Sequence, residues 1–507
     1  MTKIKKTVLD KDLKKFRRLE SASHEAGVQA FKIGLGLLLL LGLYIFAALG
    51  IASDQSNPLV VAAIVIGGYM ALNIGANDVA NTMGPAVASK ALTMFGALII
   101  AGFFTVAGAV IAGGDVVSTV SKGIIDPSAV GDAQTFIWAM LAALLAAAVW
   151  VNLATYVGAP VSTTHAIVGG VMGAGISASS FSAVDWGVMS AIAASWVISP
   201  LLGGIIAAAI LFSIKKLILY QDDKITAAKR WVPLFVAVMT GVFSAYLVMK
   251  GLKKIWQPGG GVITLIGIAA FFIGWATVNP VVQKASKGLE NSRKSVARLF
   301  VTPLIGATAL LSFAHGANDV ANAIGPLAAI LDASSSGGIS AKVSVPLWVM
   351  VMGGVGIAMG LAMFGPKMIK KVGEKITKLN IIRAYAVALA AAITVIIASA
   401  LGLPVSSTHV AIGAIFGVGF LREALARKSM VEAATNSRIL LHAKSGGRGD
   451  APALTKDDLK ALKKFRKRKL VRRRYFFSII AAWLVTVPLA ALLGAMFFYM
   501  LKGMLSP

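Results

Sequence analysis

Cysteine is absent from all 507 residues of the chain. A disulfide framework is therefore excluded, as is thiolate chemistry, whether the thiolate serves as nucleophile or as metal ligand. Charge is also scarce, with Asp, Glu, Lys and Arg together making 14% of residues. The acidic side is the poorer one, 21 residues against 49 basic ones. So few charges cannot cover the surface of a soluble protein of this size. Five histidines, scattered along the chain, give no metal-ligand spacing. Short alternating segments of the kind that build a membrane β-barrel are missing as well.

What the chain has in abundance is hydrocarbon. Hydrophobic residues make 57% of it, and the mean hydropathy is +0.80. That composition describes an all-α integral membrane protein. Apolar runs of spanning length lie near 30–52, 59–82, 93–114, 136–157, 160–177, 186–213, 231–249, 262–283, 300–328, 346–366, 382–400, 404–420 and 475–501. About 12–13 transmembrane segments are expected. The Lys-rich N-terminal stretch lacks a cleavable signal pattern, so the first apolar helix is expected to stay as an anchor.

A net charge of +28 raises the question of nucleic acid. The placement of the charge answers it: 41 of the 49 Lys and Arg fall in five polar segments, 1–30, 214–230, 284–298, 367–383 and 421–474. Basic residues beside spans mark cytoplasmic loops, so the charge sets orientation in the inner membrane and no nucleic acid is expected. The N-terminus and the 421–474 insertion are then cytoplasmic. The acidic connection 115–134 falls outside. Lys250, Lys253 and Lys254 also fall outside and do not fit the bias.

Within this apolar background the stretch Gly75-Ala-Asn-Asp-Val-Ala-Asn81 returns letter for letter at Gly316 to Asn322, each copy followed by Gly-Pro. A second block, Gly158-Ala-Pro-Val-Ser-Thr-Thr-His165, returns as Gly402-Leu-Pro-Val-Ser-Ser-Thr-His409. Trp196 with Pro200 is echoed less closely by Trp483 with Pro488. The expected organisation is a basic segment 1–29, a first repeat 30–213, a joining segment 214–261 with one span, a second repeat 262–420, an insertion 421–474, and a final span 475–507. Six crossings followed by one joining span invert the second repeat in the membrane, with broken helices or re-entrant hairpins carrying the motifs. The insertion places Leu459, Leu462 and Phe465 at helical spacing, and the N-terminus does the same with Leu9, Leu13 and Phe16. Both read as amphipathic helices on an anionic leaflet, or as a regulatory docking pair.

A carboxylate inside a span is costly, and by default it marks a site facing a bundle interior. Asp78 and Asp319, with Asn77, Asn81, Asn318 and Asn322, supply the oxygen ligands that a cation such as Na⁺ requires. Ser162, Thr163, Thr164, Ser406, Ser407 and Thr408 supply hydroxyl donors for an oxyanion. Pro160 and Pro404 suit the first turn of a helix whose free N–H groups aid such binding. The same Ser, Thr and Asn residues also fit a role as hydrogen bonds between helices. His165 and His409 read either as helix-turn caps or as proton-coupling groups, and His315, which replaces Ile74 of the first copy, is the asymmetric candidate. A hydrolase would need a nucleophile elbow, which these apolar repeats lack.

On these residues the chain resembles the inorganic phosphate transporter (PiT) family of cation–phosphate symporters. The likeness rests on Gly75 to Asn81, on Phe313-Ala-His-Gly-Ala-Asn-Asp-Val-Ala-Asn-Ala-Ile-Gly-Pro326 and on both Pro-Val-Ser-x-Thr-His blocks. It implies a non-enzymatic secondary transporter that imports phosphate with Na⁺ or H⁺, with no cofactor and no resident metal beyond the transported Na⁺. A homodimer is also implied. By the resemblance the Asp and Asn residues coordinate cation and phosphate, and the Ser/Thr blocks bind phosphate. Sodium-coupled members carry glutamates where this chain has Thr105 and Ala388, which leaves the coupling ion open. A sulfate or other oxyanion permease, a passive anion channel, and a structural or sensory membrane protein stand as the alternatives.

Overall fold

The computed structural model describes residues 31–49, 57–157, 161–251, 256–336, 345–373, 379–444 and 474–506. The expected amphipathic stretches around Leu9, Leu13 and Phe16 and around Leu459, Leu462 and Phe465 lie outside these residues, as do Pro160, Lys253 and Lys254.

Helices dominate. They are α1 (Phe31–Ala48), α2 (Pro58–Ala88), α3 (Met94–Ala112), α4 (Gly114–Ser118), α5 (Ala133–Val157), α6 (Thr163–Ala178), α7 (Trp186–Ile214), α8 (Lys224–Tyr246), α9 (Gly260–Ala285), α10 (Arg293–Leu299), α11 (Val301–Ser336), α12 (Leu347–Gly373), α13 (Ile381–Ala400), α14 (Ser407–Lys444) and α15 (Arg474–Leu505). Among the described residues eleven helices are long and apolar enough to cross a membrane, and α10 with α11, bent by 47°, forms either a broken span or a re-entrant loop. The apolar run at 160–177 departs from its expected length. It forms α6, only 16 residues or about 24 Å long. That is short of a full crossing of a bilayer core about 30 Å thick.

The helix breaks also fall at a different place from the one expected. The Asn-Asp motifs do not break their helices: α2 and α11 run through them, with Pro85 and Pro326 inside. The breaks fall instead at the Ser/Thr blocks, where the chain is irregular just before α6 and α14. Pro404 consequently lies in the connection ahead of α14 and not in its first turn, because Ser406 accepts from the His409 N–H at 3.3 Å and so caps the helix. The described part of the insertion is helical. α14 continues to Lys444, far beyond the apolar run that ends at 420, for 38 residues or about 57 Å.

The two sequence repeats interlock. α2 packs against α12, and α11 against α3; α6 packs against α15, and α14 against α7; α2 meets α5 as α11 meets α13. The contacts are reciprocal at residue level. A methyl group added at Gly75 would overlap the carbonyl oxygen of Ile357, and one at Gly316 would overlap that of Thr105. Gly360 approaches the Leu72 carbonyl as Gly108 approaches that of Phe313. Small residues are what permit helix backbones to come so close in a membrane, where packing replaces the hydrophobic effect as the source of association.

Charged residues near the ends of helices are paired. Lys250, the misfit to the charge bias, pairs with Asp115 at 2.6 Å, and Lys122 pairs with Asp332 at the same distance. In the acidic connection, hydrogen bonds from Ser128 hold the Asp126 carboxyl below the usual carboxylate range, and Thr135 does the same for Asp132. That connection therefore stays charged at neutral pH.

Candidate functional site

All four motif segments meet at one place. α2 and α11 carry Asp78 and Asp319 into the middle of the bundle, where their exposures are 1% and 0%. The N-termini of α6 and α14 arrive at the same point, so two sets of helix-end N–H groups and two positive dipole ends face the carboxylates. Ser162 and Ser406 cap these helices, accepting from the His165 and His409 N–H groups at 3.1 and 3.3 Å. The caps explain why serine stands there: without an acceptor at that position an orphan N–H would be buried.

The next residues face the aspartates. Thr163 Oγ1 donates to Asp78 Oδ2 at 3.1 Å, and Thr408 Oγ1 donates to Asp78 Oδ1 at 2.8 Å. Ser407 Oγ donates to Asp319 Oδ2 at 2.7 Å. Asn81 and Asn322, one turn along their helices, donate to Asp78 and Asp319 at 3.1 and 3.3 Å. Both asparagines also reach across to the opposite Ser/Thr block, Asn81 to Thr408 at 2.7 Å and Asn322 to Thr164 at 3.1 Å. Thr164 in turn donates to the carbonyl of Val405 at 3.0 Å. Each half thus completes the other's site.

The histidines occupy two different places. His315 lies with its Nε2 3.1 Å from Asp319 Oδ2. Asp78, His315 and Asp319 each bring one ligand atom within 4.8 Å of the others, a group able to hold a metal ion. His165 and His409 sit together on the other side of the helix ends, ring centroids 4.8 Å apart, and Trp196 lies against His165 at 3.9 Å. Trp196 also donates to the Pro404 carbonyl at 3.3 Å, which fixes the irregular segment before α14.

Asn77 and Asn318 brace the motifs from behind. Asn77 donates to Thr155 and Asn318 to Ser399, each at 3.0 Å, and Asn318 Oδ1 accepts from the Val405 N–H at 3.2 Å. Thr155 and Ser399 went unnoticed in the sequence reading. Both stand three residues before the glycine that opens a Ser/Thr block, a repeat signal that alignment of the two halves would expose. Thr105 and Ala388 are fully buried. Thr105 donates weakly to the Ser312 carbonyl at 3.4 Å, on the turn that precedes His315.

Chemically, the arrangement is a charge-dense centre without a fixed cation. Among the described residues, the side chains bonded to the two carboxylates are Thr163, Thr408, Ser407, Asn81, Asn322 and His315, and none is Lys or Arg. Asn322 Oδ1 is buried and accepts no hydrogen bond among the described residues. An amide oxygen of that kind, beside a carboxylate, is a suitable ligand for a hard cation.

The chain is similar to several known proteins. A relative from Helicobacter pylori J99, provisionally named a phosphate permease, is 46% identical over 96% of this chain and 98% of its own length. A relative from Pyrococcus abyssi with the same provisional name is 36% identical over 88% of this chain and 98% of its own. A solved structure described as the sodium-dependent phosphate transporter superposes with a TM-score of 0.76 at 33% identity, covering 89% of this chain and all of that one. Residues 74–494, which hold all four motifs, match the phosphate transporter family. The chain is therefore a multi-pass membrane protein that belongs to the phosphate transporter family.

Proposed function

We propose that this protein imports inorganic phosphate across the cytoplasmic membrane by symport with Na⁺ or H⁺. The observation that carries the proposal is the interleaving of two buried carboxylates with the hydroxyl donors of Thr163, Ser407 and Thr408. Two unit charges 4 Å apart repel by about 4 kcal/mol even at an effective dielectric constant of 20. An anion added to that site would meet further repulsion. A cation or proton must neutralise the carboxylates first, so anion binding and cation binding are coupled by electrostatics. A passive anion channel has no use for buried negative charge at its centre.

In this reading Asp78, Asp319, Asn77, Asn81, Asn318 and Asn322 hold or position the cation. Ser162, Thr163, Thr164, Ser406, Ser407 and Thr408, with the two helix N-termini, receive phosphate. Held by neutral donors alone, phosphate leaves more readily than from a guanidinium clamp. Na⁺ is supported by the oxygen-rich ligand set and by the sodium dependence for which the solved relative is named. H⁺ is supported by His315 beside Asp319 and by the absence of carboxylates at 105 and 388. His165 and His409 belong to the same proposal as orienting or proton-coupling groups.

Transport by alternating access of inverted repeats is part of the proposal. α2 runs parallel to α12, as the ordered contacts of Gly67 with Met352, Gly75 with Ile357 and Val79 with Gly365 indicate. α12 returns across the membrane after α11, so α11 is opposed to α2. The domain boundaries, a cytoplasmic N-terminus and a homodimer complete the reading.

The test is uptake of labelled phosphate into proteoliposomes under an imposed inward Na⁺ or H⁺ gradient, with sulfate as competitor. Accumulation above the gradient-free level, resistant to sulfate, is the expected result. Uptake that ignores both gradients would overturn symport, and full competition by sulfate would shift the cargo to the wider class of oxyanions.

A further inference from the structure

Between α7 and α14 the bundle opens a groove of about 650 Å³ that shares His409 with the proposed transport site. Leu201, Ile205, Phe416 and Phe420 are among its walls, and His409 lies at one end. Its outer lip is open: Leu201 is 62% exposed and Ile205 67%. The two helices run parallel here, since Gly413 meets the Pro200 carbonyl and Gly417 that of Gly204. The groove therefore follows α14 from His409 to Ala424, a rise of about 22 Å. It begins at the level of the buried motifs and ends where the spans meet the basic segments.

That far end is electropositive. Lys215 at the end of α7 lies within electrostatic reach of Arg383 on α13, Arg422 on α14 and Arg293 on α10. Arg422 sits between Leu421 and Ala424, which line the groove. Glu423, buried and next to Arg422 in sequence, is an acidic neighbour of this basic group. Basic residues on the helices beyond the end of an apolar slot of acyl-chain length suit one kind of molecule.

We propose that this groove is a binding site for an anionic phospholipid of the cytoplasmic leaflet, its phosphate at Lys215, Arg383 and Arg422 and one acyl chain laid along α14 toward His409. The depth agrees, because half of a bilayer core is about 15 Å and a chain lying obliquely needs somewhat more. The charge agrees, because anionic lipids are concentrated on that face and basic pockets between spans retain their headgroups. The site is distinct from the transport centre in ligand and in residues, apart from the shared His409 at its tip.

The experiment uses the full chain in nanodiscs of phosphatidylcholine containing a minor share of phosphatidylglycerol, with retained lipid counted by mass spectrometry after detergent extraction. Wild type is expected to retain phosphatidylglycerol in preference to phosphatidylcholine. Lys215→Gln with Arg422→Gln should weaken that retention about thirtyfold, from two lost charges near the surface. Ala208→Trp, which fills the groove and leaves the charges, should release the lipid as well. Equal melting temperatures in pure phosphatidylcholine establish that both variants are folded. Retention unchanged in either variant would overturn the proposal, as would displacement of the bound lipid by inorganic phosphate. The chain has no native cysteine, so Ile205→Cys supplies a single thiol on the lip. Ready disulfide formation between two copies in the membrane would show that the groove is covered by a second chain and would also overturn the lipid assignment.

Discussion

Thr408 donates to Asp78 at 2.8 Å across a separation of 330 residues. The hydroxyl belongs to the second Ser/Thr block and the carboxylate to the first Asn-Asp motif, so neither repeat owns a complete site. Every substitution that loosens this crossing should act on transport before it acts on folding.

Asp78→Asn and Asp319→Asn are the direct test of the carboxylates. Each is expected to abolish gradient-driven phosphate uptake and to leave membrane insertion intact, because asparagine preserves shape and one acceptor oxygen while removing the charge. Surface expression and proteoliposome uptake check the two halves of that statement. Wild-type uptake in either variant would remove the residue from the site.

Thr408→Val keeps the volume and deletes the donor. Hydrogen bonds to charged groups contribute about 1.5–3 kcal/mol, which corresponds to roughly tenfold to a hundredfold in affinity. We expect the loss in the half-saturating concentrations of phosphate and cation, with Thr163→Val behaving alike because it faces the other oxygen of Asp78. Thr408→Ser should restore most of the affinity.

Gly75→Val and Gly316→Val test the reciprocal packing. Each new side chain would meet a carbonyl of the opposite half, of Ile357 or Thr105 respectively. Overpacking of this kind costs about 1–3 kcal/mol and often more. The melting temperature in detergent should fall by a similar amount in both variants. A large fall in one alone would contradict the equivalence of the two contacts.

The Lys122–Asp332 pair ties the segment after α4 to the end of α11, with side-chain exposures of 8% and 15%. Breaking such a pair by Asp332→Asn is expected to cost about 3 kcal/mol. Replacing both, as Lys122→Met with Asp332→Leu, should recover much of the loss. Thermal denaturation of the single and double variants measures the coupling, and additive losses would mean the pair contributes nothing.

Much of this architecture was legible in the residues. Asp78 and Asp319 announced themselves because a charge in a span is too costly to be kept without use, and the duplicated heptapeptide fixed their equivalence. The hydroxyl blocks were found by the same repeat. Their division of labour was not, since a serine that caps a helix and a serine that faces a carboxylate have the same letter. Ser162 and Ser406 turned out to be caps, whereas Ser407, Thr163 and Thr408 reach the aspartates. Thr155 and Ser399 were overlooked because isolated hydroxyls inside apolar runs look like ordinary interhelical contacts.

By itself the sequence determined the class of the molecule, a multi-pass helical membrane protein, together with its two paired motifs and its scarcity of acidic groups. These are one-dimensional properties: hydropathy sums along a segment, and a repeat is read by matching letters. The tertiary structure alone decided that Asn81 of one half reaches Thr408 of the other, and that His315 lies with both aspartates while His165 and His409 pair with each other. It also decided that α6 stops short of a full span and that Lys250 has a carboxylate partner. The physical reason is that each of these contacts joins positions far apart in the chain. Close glycine-mediated approach of the helices sets their register, and no local pattern encodes it.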